Sequence, residues 1–303
     1  MIQKPKMNHT IQTQAPWRSL LIRFFRSPAA CAAVLLLVLL CVAAAAAPWL
    51  APQDPYDLRQ VTIVESERAP GAQSDDGALT FLLGTDGAGR DVLSAILYGL
   101  RVSIVIGVAS AVLALLIGTC VGLVSAHFGG RIDALLMRIV DVQLSLPTIL
   151  VALVLLAVLG QGADRTLLAL ILVQWAVFAR NVRGTALVER SKDYVEAARG
   201  QGLPVRRILF RHVLPNCLAP LIVTTTNQMA SAITLEATMS FLGIGLPQTQ
   251  PSLGLLISNG FDYMFSNRYW ISVFPGIALV LLVVSISMVG DRLRVMLQPD
   301  SDA

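Results

Sequence analysis

Charge is what this 303-residue sequence has least of. Asp, Glu, Lys and Arg make up 14% of it, against roughly 25% in soluble domains. Hydrophobic residues reach 55% and mean hydropathy is +0.69, which excludes an ordinary soluble globular chain. Histidine is nearly missing too: His9, His127 and His212 are the whole set, all at or beyond the ends of apolar runs. There is no HExxH and no nucleophile elbow, so neither zinc hydrolysis nor serine chemistry has its residues. There is no GxxxxGK[ST], so the chain has no phosphate-cradling loop with which to hydrolyse ATP itself. The four cysteines, Cys31, Cys41, Cys120 and Cys217, form no CxxC pair. Each lies in or beside an apolar run and reads as a small packing residue, not a metal or disulfide site. Aromatics are 6%, with no basic stripe interleaved among them, so nucleic acid is not an expected partner.

What the chain does have is long apolar runs. A span needs roughly 20 apolar residues to cross about 30 Å of hydrocarbon. Six stretches qualify: 29–50, 102–125, 142–160, 165–180, 217–246 and 270–290. The third contains Pro147, the fourth is short and borrows flanking residues, and the fifth is long enough to tilt or project. The expectation is an all-α polytopic membrane protein. Placing both termini in the cytoplasm puts 17 of the 23 Lys and Arg inside, as the positive-inside rule requires. The organisation is then an N-terminal cytoplasmic segment 1–28, an anchor 29–50, an extracytoplasmic region 51–95, a core 96–290 and a cytoplasmic tail 291–303. The small-residue run AAAAA at 43–47 also resembles a signal-peptide cleavage site, but the basic segment before it is long, and an uncleaved anchor keeps the spans even.

The outer region is rich in Pro, Asp and Gly and lacks the periodicity of an independent core, so it reads as a loop folded on the membrane domain. At its end, Asp86, Arg90 and Asp91 cluster between glycines. One reading is a turn with Asp91 capping a helix from Val92; the other is contact with an external soluble partner. Gly118 and Gly122 form a GxxxG pair, which marks a close helix contact within the chain or beyond it. The fifth span is polar, with Thr224, Asn227, Gln228, Ser231, Thr234 and Glu236. Thr224, Asn227, Gln228 and Glu236 are candidates to line a wet path. Glu236 either faces a cavity or partner, or is solvated near the outer interface, since a charge inside a span is costly.

Basic residues concentrate in the loop 181–216. Asp193 and Glu196 have capping-box spacing, predicting a helix from about Tyr194. Gly200 and Gly202 stop it, with Gly202 free to take φ > 0. Pro204 suits the first position of a second short helix, whose apolar face is Val205, Ile208, Leu209 and Val213. Pro215 closes the unit. Such a unit either lies on the membrane surface or docks as a knob into a groove.

Glu196-Ala197-Ala198, three residues, Gly202, then Leu214-Pro215 resembles the EAA loop of ABC importer permeases. RHVLPN at 211–216 is similar to the dipeptide, oligopeptide and nickel branch. So are GTDGAGRDVLSAILYGLRVS at 84–103, MSFLGIGLPQTQPSLG at 239–254 and the ending from Phe274 to Pro299. The resemblance covers roughly 20–299. It implies a type I importer fold with six spans in a bacterial inner membrane. It implies a coupling loop, carried here by Glu196, Ala197, Ala198, Arg199, Gly202, Arg206, Leu214 and Pro215, that docks on a cytoplasmic ATPase. It also implies two such ATPase subunits holding ATP and Mg, with no cofactor on this chain, a second permease subunit, and an extracytoplasmic binding protein delivering small peptides. Nickel chelates and other small solutes stay open as substrates. Three positions depart from the pattern: His212 stands at the usual Ile, Gly200 adds a second glycine, and Leu253 stands where many relatives have Trp. A secondary transporter or channel would need several intramembrane ionisable groups or a filter loop, and only Glu236 is on offer.

Overall fold

The computed structural model describes residues 24–297, apart from 26, 56, 58 and 60. Most of the N-terminal segment 1–28, and residues 298–303 of the tail, lie outside the described residues. Beside a four-residue α-helix at Ala47–Leu50, the α-helices in chain order are α1 Pro28–Ala45, α2 Val92–Phe128, α3 Gly130–Ser145, α4 Thr148–Leu159 and α5 Ala163–Arg190. They continue as α6 Asp193–Gly200, α7 Val205–Ile208, α8 Leu214–Phe241, α9 Leu253–Phe261 and α10 Trp270–Leu297. Five rods are long and apolar enough to cross a membrane, and a bent pair, α3 with α4, makes a sixth candidate.

That pair corrects the third expected span. Residues 142–160 are not one rod: α3 and α4 meet at 91°. Pro147 is the cause. The residue before a proline is pushed out of the α region, and Leu146 takes φ −90°, ψ 140°. Helix α4 has only 12 residues, about 18 Å of rise, which is short of the roughly 30 Å hydrocarbon thickness. The fourth span lengthens as expected, to the 28 residues of α5.

Lipid supplies no hydrophobic drive between helices, so the bundle holds by close packing. The glycine pair acts inside the chain, on the α2–α5 contact. A Cβ at Gly118 would sit 2.4 Å from Phe178 Cβ, and one at Gly122 2.6 Å from the Ala179 carbonyl oxygen. Phe178, Ala179 and Val182, which meet this face, are fully buried.

Residues 51–91 cover the bundle at the start of α2 and α10. A two-residue antiparallel hairpin pairs Ala72 with Phe81 and Gln73 with Thr80. Trp270 Nε1 donates to the Thr85 carbonyl at 3.3 Å, and Arg268 pairs with Glu67. Gln53 is buried and accepts from Asp91 N–H at 2.7 Å. Asp91 caps α2, its Oδ2 accepting from Ser94 N–H at 2.8 Å. Burial pushes the Asp91 carboxyl above its ordinary value, with the Ser94 bonds working against that. Asp86 pairs with Arg90 at 2.8 Å and is only 3% exposed. The turn-and-cap reading is the one the structure carries. Asp86 and Asp91 are both buried, Asp86 bonded to Arg90 and the backbone of its own turn and Asp91 to Ser94.

Candidate functional site

The segment from α5 to α8 forms one bolted unit. Helix α6 starts at Asp193 with Lys192 as its cap residue, and no side chain caps it. The Glu196 N–H bonds the Lys192 carbonyl at 3.2 Å, so the expected capping box is not formed. Glu196 is instead exposed beside Ala197, while Val195 and Ala198 are buried. Gly200 ends α6 from inside it, and Gly202 takes the left-handed turn with φ +70°. The Leu203 N–H then reaches back to Ala198 O at 3.2 Å, the usual way a glycine closes a helix end.

Pro204 precedes α7 as its cap instead of occupying its first position. Its Ile208 and Val213 side chains are buried, as their spacing suggests, whereas Val205 is half exposed. Pro215 does not close the unit. Helix α7 passes through a π-helical turn, Leu209–Val213, directly into α8, whose first turn holds Pro215. Proline removes a backbone donor and its ring crowds the carbonyl four residues back. A wider turn just before it fits that demand. Residues 205–241 are therefore one continuous 37-residue rod.

Three polar residues that the sequence did not single out hold the unit to α5. The Tyr194 hydroxyl donates to Glu189 Oε1. It accepts from Asn216 Nδ2 at 3.0 Å. Asn216 also donates to the His212 carbonyl at 2.7 Å. Glu189, 7% exposed, pairs in addition with Lys192 Nζ at 2.7 Å. Burial, then the bond to and charge of Glu189, push the Tyr194 hydroxyl up to about 12. On the other side, Arg190 Nη1 donates to the Ala126 carbonyl at the end of α2. Arg183 grips Asp133 of α3 with two nitrogens, one at 2.6 Å. Arg206 on α7 is exposed; Arg199 on α6 is exposed too, and it lines a hollow with His127 and Arg190.

Further along the rod, Thr224, Asn227, Ser231, Thr234 and Thr238 recur every three or four residues along one face. Asn227, Ser231 and Thr234 are exposed on it. Thr224 and Asn227 line a polar cleft of about 530 Å³ with Asn181, Thr185 and Arg294. Asn181 Nδ2 donates to Thr224 Oγ1 at 3.0 Å. Gln228 is half-buried and is not among the residues of that cleft. Glu236 is elsewhere. It is 0% exposed, its Oε2 accepting from Ser103 of α2 and its Oε1 from Ser240, each at 2.8 Å. It is thus neither solvated nor open to the cleft. Nine residues is two and a half turns of α-helix, so Glu236 points away from Asn227. Leu253, at the place where Trp stands in many relatives, is fully buried at the start of α9.

The match to known proteins fits this architecture. Residues 118–302 match the family model of binding-protein-dependent transport system inner membrane components. Residues 15–70 match the N-terminal transmembrane domain of oligopeptide transport permease C. The chain is 37% identical over 253 residues to a di/tripeptide transport system permease protein of Pseudomonas aeruginosa, covering 84% of this chain and 82% of that one. It is 35% identical over 253 residues to a dipeptide transport system permease protein of Haemophilus influenzae, covering 84% of each. Among solved structures, a chain of the MetNI methionine ABC transporter in an inward-facing form aligns with a TM-score of 0.55 at 20% identity, over 67% of this chain and 96% of that chain. The likeness is one of fold. With its bundle, the loop region that covers it and its bolted loop, the chain belongs to the family of binding-protein-dependent transport system inner membrane components.

Proposed function

We propose that this chain is one of two permease subunits of an ATP-driven importer of small peptides, lying in a bacterial inner membrane with both termini in the cytoplasm. The relatives' names support a di- or tripeptide as the substrate. One observation carries the mechanism: α7 runs through the π turn into α8 as one rod, with α6 bonded to it through Tyr194 and Asn216, so the exposed residues of α6 and α7 are connected to the polar face of α8. Helices α6 and α7 dock on a cytoplasmic ATPase subunit, one per permease, through Glu196, Ala197, Arg206 and the turn at Gly202. Leu214 and Pro215 join that knob to the rod. When the ATPases bind ATP with Mg and close, the knob moves as a rigid body and α8 turns with it. Thr224, Asn227, Ser231 and Thr234 then present their amides and hydroxyls to a peptide passing between the two permeases. Such groups match peptide N–H and C=O groups without fixing on one side chain. Peptide arrives from an extracytoplasmic binding protein that seats on the outer cover. Glu236 has no part in the path; it locks α8 to α2.

The test is a crosslink. Replace Cys31, Cys41, Cys120 and Cys217, introduce cysteine at the exposed Arg206, and place a second in the candidate ATPase groove. A nucleotide-sensitive crosslink in the assembled transporter is the expected result. If no position from 194 to 212 crosslinks in a folded complex, docking is refuted. Uptake of labelled di- and tripeptides by proteoliposomes then tests the substrate class separately.

A further inference from the structure

Behind the polar face of α8 lies a second, quite different feature. A groove of about 470 Å³ runs between α2 and α8, lined by Leu116, Cys120, Phe210, Leu214, Leu218 and Ile222 among others. Its lining is apolar apart from threonine hydroxyls, and Leu116 and Phe210 are each 57% exposed. From Leu218 to Asn227 is nine residues, two and a half turns, so the groove and the polar stripe occupy opposite sides of the rod. One side of α8 is built for water or a peptide, the other for hydrocarbon.

A second hollow on the same helix carries basic residues. Along α2, Leu116, Cys120 and His127 are spaced by four and seven residues and share a face. His127 lines a cavity of about 270 Å³ with Arg190 and Arg199, walled by Leu203, Ile208 and Val213. The π turn touches both hollows: Leu209 and Val213 line the basic one, and Phe210 lines the apolar one together with Leu214, the first residue of α8. Among the described residues, no carboxylate lines either hollow. Arg190 is held in place by the Ala126 carbonyl through Nη1. Two arginines and a histidine thus line one hollow and an acyl-sized groove forms the other, both on α2 and both touching residues 209–214. Arginine pairs phosphate through a planar fork of donors.

We infer that this double hollow is a binding site for an anionic glycerophospholipid, one acyl chain in the α2–α8 groove and the phosphate at His127, Arg190 and Arg199. The occupant is a lipid of the bilayer, not free phosphate, because the basic residues and the apolar groove lie along one face of α2 and beside the same turn of the rod. Its leaflet, the cytoplasmic one, rests on the orientation proposed above; the chemistry of the site does not. Since both hollows contact residues 209–214, the bound lipid braces the turn between the short helices and the rod.

Reconstitute the complete transporter in nanodiscs of equal phosphatidylcholine and phosphatidylglycerol, extract it gently, and count retained lipids by native mass spectrometry. The wild type should retain one phosphatidylglycerol per copy of this chain. Arg199→Gln with His127→Gln should bring the retained glycerol-to-choline lipid ratio down at least fivefold, towards the bulk value. Cys120→Trp, or Leu218→Trp should the first not assemble, should lose the tightly held lipid altogether. Equal retention of both lipids by the wild type overturns the proposal. So does a phosphatidylglycerol that survives both kinds of variant, displacement by inorganic phosphate with no effect of the Trp variants, or a Cys120 crosslink to the second permease subunit. A charge-selective result that stands while the ATPase crosslink fails would separate this site from the coupling mechanism.

Discussion

Removing the Tyr194 hydroxyl should loosen residues 190–216 without unfolding the bundle. In Tyr194→Phe the ring keeps its packing, but Glu189 loses a donor and Asn216 an acceptor. A hydrogen bond to a charged group contributes about 1.5–3 kcal/mol. Two facts reduce that here: Tyr194 is 40% exposed, and Glu189 keeps Lys192. A loss of about 1–2 kcal/mol for local opening follows, a factor of roughly 5–30 in the open population. Hydrogen exchange of the detergent-purified chain reads it directly. Amides of α6 and of the turn at 209–213 should exchange roughly 5–30-fold faster, while those in the middle of α2 and α5 stay at wild-type rates. Unchanged exchange in 190–216 would refute the bolt, and uniformly faster exchange across the spans would show that the residue acts globally. The pH dependence has a definite sign. The folded-state hydroxyl is raised to about 12, so the neutral form is the one favoured by folding. Its contribution is fully present below the unfolded value of about 10 and is lost as pH climbs from there through about 12. An absorbance titration should show a late-ionising tyrosinate in the wild type that is missing from Tyr194→Phe.

Two substitutions probe the bundle itself. Gly118→Val should abolish or severely reduce the folded yield, because overpacking costs about 1–3 kcal/mol even where neighbours can shift, and here backbone atoms Trp175 O and Ala179 N lie within 3 Å of the new carbon. Gly184→Ala, where nothing lies within 4 Å, should leave the thermal transition in place; similar behaviour of the two would refute the packing argument. Glu236→Gln, which still accepts from Ser103 or Ser240, should fold and import peptide close to the wild-type rate. Glu236→Leu strands two buried hydroxyls and should lower stability by about 1–3 kcal/mol for each; a thermal melt beside an uptake assay decides, and loss of uptake in a fully stable Glu236→Gln would put the carboxylate back on the path.

The spans were legible because little besides a bilayer calls for apolar runs of that length, and the Pro147 elbow was half legible: the proline was visible, the angle was not. Gly202 could be read because a helix end and a following proline left little else for it to do. The bolt was not legible. Glu189, Tyr194 and Asn216 are separated by five and 22 residues and each looks like an ordinary surface polar group until the chain folds back. Glu196 misled in the opposite way, since its spacing from Asp193 satisfied a capping rule while the helix began one residue sooner than that rule needs. The sorting of α8 was available and missed. Counting turns from Asn227 would have put Ser231 and Thr234 on one face and sent Glu236 to the other.

The π turn at Leu209–Val213 amounts to one residue more than an α-helix would use. Deleting a single residue there, Phe210 for instance, would let α7 and α8 run on as one unbroken α-helix. Everything before and after the deletion would keep nearly its present phase, because five residues of a π turn sweep about the same arc as four of an α-helix. Arg206 and Asn227 would still face as they do now, while the neighbours of Phe210 lost the widened turn. The rod therefore carries one residue more than its two ends need, taken up locally at the turn where the short helix meets the span.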